Sequence, residues 1–169
     1  MRKTIRNILI ILSSLVLVFA ISLLVYLTSS QNDITDKIVI KSNDEIHEVL
    51  EVSDLNLIPS EMKEYDVSFE SKIGGKFFIY LDYQETFDGG MKDYVDVIVK
   101  VGDEVIYEGK LSDLFKDDFV VEVSLDFNED STREIRLIYS MDVTVGNEAK
   151  NTSSDFNIEL TIKRNTGGE

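Results

Sequence analysis

YVDVIVKVGDEVIY, residues Tyr94–Tyr107, decides the fold class. Two runs rich in β-branched residues flank Gly102-Asp103, and glycine tolerates the positive φ that a tight hairpin turn needs. The stretch predicts strands at Tyr94–Val101 and Glu104–Tyr107. The same period of two continues on both sides of it. Upstream, Lys76–Tyr83 (KFFIYLDY) follows the turn signal Gly74-Gly75; Phe77, Ile79, Leu81 and Tyr83 share one face, while Phe78 and Tyr80 make the opposite face aromatic. Glu64–Ser71 (EYDVSFES) places Tyr65, Val67 and Phe69 together, Ile46–Val52 (IHEVLEV) is a mixed run compatible with a strand, and Lys37–Lys41 (KIVIK) is a short one. Downstream, Phe119–Phe127, Arg133–Val145 and Asp155–Lys163 complete the series. Short strands about ten residues apart, without a long helical pattern, predict an antiparallel sandwich or barrel. Pro59 is the single proline. Short helical turns are expected at Ser112–Phe115, with Ser112 as cap, and around Met91–Asp93.

A different pattern precedes the strands. Ile8 to Leu27 is an uncharged apolar run broken only by Ser13, Ser14 and Ser22, and it contains Leu15 and Leu24. Twenty residues of helix span roughly 30 Å, the thickness of a bilayer's hydrocarbon core. Arg2, Lys3 and Arg6 lie before the run and the first charge after it is Asp33, an asymmetry that predicts a cytoplasmic N-terminus and an outer C-terminal part. The run exceeds the roughly 7–15 apolar residues of a secretory signal and is followed by no A-x-A pattern, which favours a retained anchor. Thr28, Ser29 and Ser30 are small enough to leave cleavage open. The expected organisation is a basic tail (1–7), a transmembrane signal anchor (8–28), a linker (29–36) and a β-domain (37–169). The expected location is the cell membrane, single-pass, with the domain outside.

Three of the 17 basic residues precede the apolar run, leaving 14 against 32 acidic ones, a formal charge of −18 beyond it. Such a field repels nucleic acid and anionic headgroups, so no nucleic-acid partner is expected. It suits a solvated surface, divalent cations or basic partners. Without cysteine, no disulfide staples the domain and no thiol can act as nucleophile or be lipidated.

Catalytic signatures are sparse. His47 is the single histidine, and no G-x-S-x-G elbow or H-E-x-x-H accompanies it. One histidine among carboxylates is a poor zinc set. Asp126, Asn128, Glu129 and Asp130 crowd one loop, and their oxygens are weak candidates for Ca²⁺; an exposed turn that is simply acidic is the favoured reading, and their order departs from the EF-hand loop. No other cofactor is expected.

The order of several motifs resembles a known family. Tyr94–Leu114 reads YVDVIVKVGDEVIYEGKLSDL, a strand and tight turn followed by Y-x-G-x-L-x-x-L; Leu55–Tyr65 (LNLIPSEMKEY) is similar to an N-L-x-P-G-e lead into a strand; Gly146-Asn147-Glu148, Ser153–Asn157 and the strand Ile158–Lys163 follow. Together these resemble the camelysin/TasA family of Gram-positive bacterial surface proteins over roughly Glu51–Lys163. The resemblance implies a jelly-roll-like β-sandwich on the cell surface, in a family of matrix-fibre subunits and envelope metalloproteases. By that analogy the Lys37–Lys41 region would be a strand handed to a neighbouring subunit. Ser60 stands where the family often has glycine, and no catalytic set can be carried over.

The expected fold is therefore all-β, an antiparallel jelly-roll or immunoglobulin-like β-sandwich preceded by one transmembrane helix. The expected role is non-enzymatic: a membrane-anchored structural or interaction protein at the bacterial surface, its partners the lipid bilayer and other surface proteins or copies of itself. An extracytoplasmic ligand-binding or sensor module is the alternative, with Phe78 and Tyr80 as interaction candidates if no second sheet covers them. A camelysin-like metalloprotease is a third.

Overall fold

A computed structural model describes residues 36–149 and 152–166. The apolar run with Ile8, Leu15, Leu24 and Leu27, the basic tail and the linker up to residue 35 lie outside the described residues. Among the described residues no helix is long and apolar enough to cross a membrane.

Among the described residues nine strands carry the fold: β1 (Asp36–Ile40), β2 (Ile46–Leu55), β3 (Met62–Ser71), β4 (Gly75–Asp88), β5 (Val95–Val101), β6 (Glu104–Lys110), β7 (Val121–Phe127), β8 (Ser131–Met141) and β9 (Ser154–Arg164). A single-turn helix, α1 (Leu111–Leu114), links β6 to β7. The strands form two sheets, ordered β1-β3-β8-β5-β6 and β2-β9-β4-β7. The expected all-β sandwich is what the chain builds.

The antiparallel pairings nest. β5 pairs with β6 around the Gly102-Asp103 turn, where Gly102 has φ +57°; outside that hairpin β4 pairs with β7, β3 with β8, and β2 with β9. Sheet membership alternates from β1 to β5, so the turn at Gly74-Gly75 crosses between sheets instead of closing a hairpin.

One pairing departs from the all-antiparallel expectation. β1 runs parallel to β3, with Asp36 opposite Val67 and Ile40 opposite Ser71. The reason is topological. Residues 41–45 carry the chain to the other sheet and reverse it, and residues 56–61 carry it back and reverse it again. Two reversals leave β1 and β3 pointing the same way.

Alternation supplies the core. Val121, Val123, Leu125 and Phe127 of β7 are buried while Glu122, Ser124 and Asp126 between them are exposed. Burying apolar area at roughly 25 cal/mol per Å² is the main favourable term in folding. Tyr139, Phe69, Phe77 and Phe156 are among the largest fully buried side chains. Phe156 of the second sheet packs against Tyr139 of the first, with ring centroids 5.6 Å apart. α1 closes one flank of the sandwich with buried Leu111 and Leu114. Its N-cap is Lys110 without a side-chain cap bond, so Ser112 lies inside the helix and does not cap it. Burial of the two leucines, rather than a cap, holds this short turn.

Candidate functional site

β4 decides where the aromatic candidates go. Phe77, Ile79, Leu81 and Tyr83 point into the core, so period two sends Phe78 and Tyr80 to the outer face of the second sheet. Among the described residues no second sheet covers them, yet both are only half-buried. Their rings lie 6.5 Å apart, and Phe78 sits in register between Lys163 and Ser124, Tyr80 between Thr161 and Glu122. The Lys76 ammonium lies 5.9 Å from the Phe78 centroid and that of Lys163 5.9 Å from the Tyr80 centroid. Such cation–π contacts shield part of each ring from water. On the adjoining strand, His47 reaches Thr161 at 3.2 Å and Glu45 at 3.1 Å, which gives it local polar partners.

The outer face of the first sheet is a charged ladder. Arg136 donates to both carboxylate oxygens of Asp66, at 2.7 and 3.3 Å, and lies 3.6 Å from Glu64. Glu70 is held between the ammonium groups of Lys37 and Lys72, whose hydrogen bonds pull its carboxyl down to about 2. An open groove of about 570 Å³ lies between the β5–β6 tip and β8, lined in part by the charged residues Asp66, Asp103, Arg133 and Arg136.

The acidic loop is dispersed. Asp126 sits on β7 opposite Lys76, the Asn128 carbonyl accepts from the Ser131 hydroxyl at 2.7 Å, and Asp130 (φ +55°) turns toward Lys72 at 3.2 Å. Among the described residues no three His, Cys, Asp or Glu side chains are grouped to hold a metal ion. The acids also meet cations elsewhere: Lys92 bonds both Glu85 and Asp88 at 2.8 Å and clasps the end of β4, and these bonds raise the lysine's pKa.

One feature escaped the sequence. β1 and β2 are edge strands of opposite sheets, and a cleft of about 450 Å³ lies between them, lined by Asp36–Val39 and Glu48–Glu51. A narrower void of about 20 Å³ continues inward past Tyr65, Val67, Leu137 and Ile158. No residue motif announces a gap between the edges of two different sheets.

No family model matches the chain, and no curated protein matches it. Solved structures give distant likenesses. The pre-peptidase C-terminal domain of a collagenase from Bacillus anthracis aligns at 10% identity over 79% of this chain and 98% of that one, with a TM-score of 0.35. The extracellular region of zebrafish Gpr126/Adgrg6 aligns at 14% identity over 77% of this chain and 15% of that one, TM-score 0.36. PliG of Aeromonas hydrophila, a periplasmic inhibitor of g-type lysozyme, aligns at 6% identity over 76% and 99%, TM-score 0.32.

Proposed function

We propose that this chain is a membrane-anchored, extracytoplasmic jelly-roll protein with a structural or interaction role at the bacterial cell surface. The observation that carries the reading is the join between the two parts of the chain. Leu27 ends an uncharged apolar run, and β1 begins at Asp36. The eight intervening residues reach roughly 30 Å at full extension. A bilayer-spanning run would therefore be joined to the β-domain by a short tether. The nested pairings of β2 to β9 support the jelly-roll form over an immunoglobulin-like one. The motif order shared with camelysin/TasA proteins supports the surface role, while a tether restrains free fibre growth and favours an accessory or base subunit.

Because the chain lacks cysteine, the test is direct. Asp103→Cys, at the exposed β5–β6 tip, should react with a membrane-impermeant maleimide on intact cells, and Thr4→Cys should react only after lysis. The opposite labelling would defeat the reading.

A ligand-binding or sensor role is the second reading, favoured by the Phe78–Tyr80 pair on an open sheet face. Ligand-dependent melting that is lost in Phe78→Ala/Tyr80→Ala would favour it. The metalloprotease reading has no metal-holding group to rest on among the described residues.

A further inference from the structure

We propose that the cleft between β1 and β2 is a docking site for an extended, basic segment of a partner protein, which pairs with the free edge of β2. Among the described residues β2 pairs only with β9 and β1 only with β3, so each presents one edge of unpaired backbone N–H and C=O groups to the cleft. Unpaired edges are templates for an added strand. The opposite flank differs: α1 fills it, with Leu111 and Leu114 buried and Phe115 and Phe119 packed on the core. Among the described residues nothing fills the β1–β2 flank in this way.

Charge selects the occupant. Asp36, Glu48 and Glu51 line the cleft, and among the described residues none of them has an ion-pair partner. The single base in the lining, Lys37, is taken by Glu70. An incoming strand with alternating basic and apolar residues would set its cations on the face of β2 that carries Glu51 and its apolar side chains on the opposite face, over Leu50 and Ile38. A second copy of this chain is a poor occupant, since each copy carries a formal charge of −15. Glycine turns and proline do not interrupt Ile46–Val52, so the pairing edge is regular until the irregularity between Val52 and Leu55. This docking mode names a partner chemistry for the interaction role, but it is independent of where the domain resides.

The probe is an acetylated, amidated heptapeptide of alternating Lys and Val, labelled for anisotropy and titrated with the full-length protein at physiological salt. Saturable binding is expected, weakened at least tenfold by Glu48→Lys/Glu51→Lys and unchanged by Glu104→Lys/Glu108→Lys on β6. A peptide with a central proline, which lacks one donor, should bind at least tenfold more weakly. All four substituted positions are exposed, so equal melting temperatures are expected and would confirm that folding is intact. Equal losses from the β2 and β6 pairs would reduce the effect to the overall acidic field and overturn the proposal. So would proline-peptide binding as tight as the parent's, absent binding, or self-association through β2 that the basic peptide fails to displace.

Discussion

The hydroxyls of Tyr83 and Tyr139 meet 3.3 Å apart in the core, one from each sheet. Both residues are buried, so each hydroxyl depends on the other for its hydrogen bond. Removing one partner strands the other in an apolar setting. Tyr83→Phe or Tyr139→Phe should therefore cost about 1–3 kcal/mol, whereas the double Phe variant should be closer to wild type than the singles' sum. A double-mutant cycle from denaturant unfolding checks this; strict additivity would contradict it.

The same pair sets an alkaline limit. Burial raises the pKa of Tyr83 and of Tyr139 above the ordinary 10.0. Unfolded tyrosines ionise near 10 while the buried ones hold their protons, so their stabilising contribution is complete below pH 10 and falls as pH rises beyond it. Tyrosinate absorbance should show these two titrating only with unfolding. Their reversible ionisation in the folded state would contradict the buried pair.

Adjacent phenylalanines on β4 should differ sharply. Phe77 is 1% exposed and packs edge-on against Phe127, so Phe77→Ala should cost about 3–5 kcal/mol. Phe78 lies on the outer face, and Phe78→Ala should cost about 1 kcal/mol or less. Reversed or equal losses would mean that the strand's register is wrong.

Ser60 occupies a position made for glycine. Glu61 N–H donates to the Ile58 carbonyl at 2.9 Å, Pro59 takes the first central position of the turn, and Ser60 follows with φ +73°. That is the pattern of a type II turn. Ser60→Val should destabilise by about 1–2 kcal/mol, because a β-branched residue is strained there, while Ser60→Gly should be neutral or stabilising. Thermal melts of the two variants decide it.

Acid should weaken the first sheet through Glu70. Its carboxyl is held at about 2 by Lys37 and Lys72, below the ordinary 4.5. The folded state thus binds this proton less readily than the unfolded chain. The stabilisation is present above about pH 4.5 and is lost as pH falls toward 2. Glu70→Gln should flatten that part of the stability profile, and high salt should shrink the effect, since the ion pairs are open to solvent. An unchanged acid limb in Glu70→Gln would remove Glu70 from the account.

Legibility followed the range of the interaction. The strands were readable because alternation is local, and β5–β6 was readable as a hairpin because its turn chemistry is local. The nested partners of β2, β3 and β4 lie far along the chain, where no short-range signal connects them. β1 reads as a strand, but its parallel orientation depends on two sheet crossings. Phe78 and Tyr80 share a face by period two, whereas their outward direction depends on which face the other sheet covers. Ser112 has a cap's chemistry, yet the helix starts at the buried Leu111 and leaves Ser112 two residues past the cap position. The β1–β2 cleft is a property of two sheet edges and has no counterpart in any contiguous motif.

The central claim is that a retained apolar segment tethers this sandwich to the membrane. Its most direct test is to express the full-length chain in a bacterial host and determine the N-terminal residue and mass of the mature protein in the membrane fraction. The expected result is an intact chain starting at or near Met1 and recovered with membranes. A mature form starting near Ser30–Asp33 and released into the soluble fraction would contradict the tether and leave a free domain in its place.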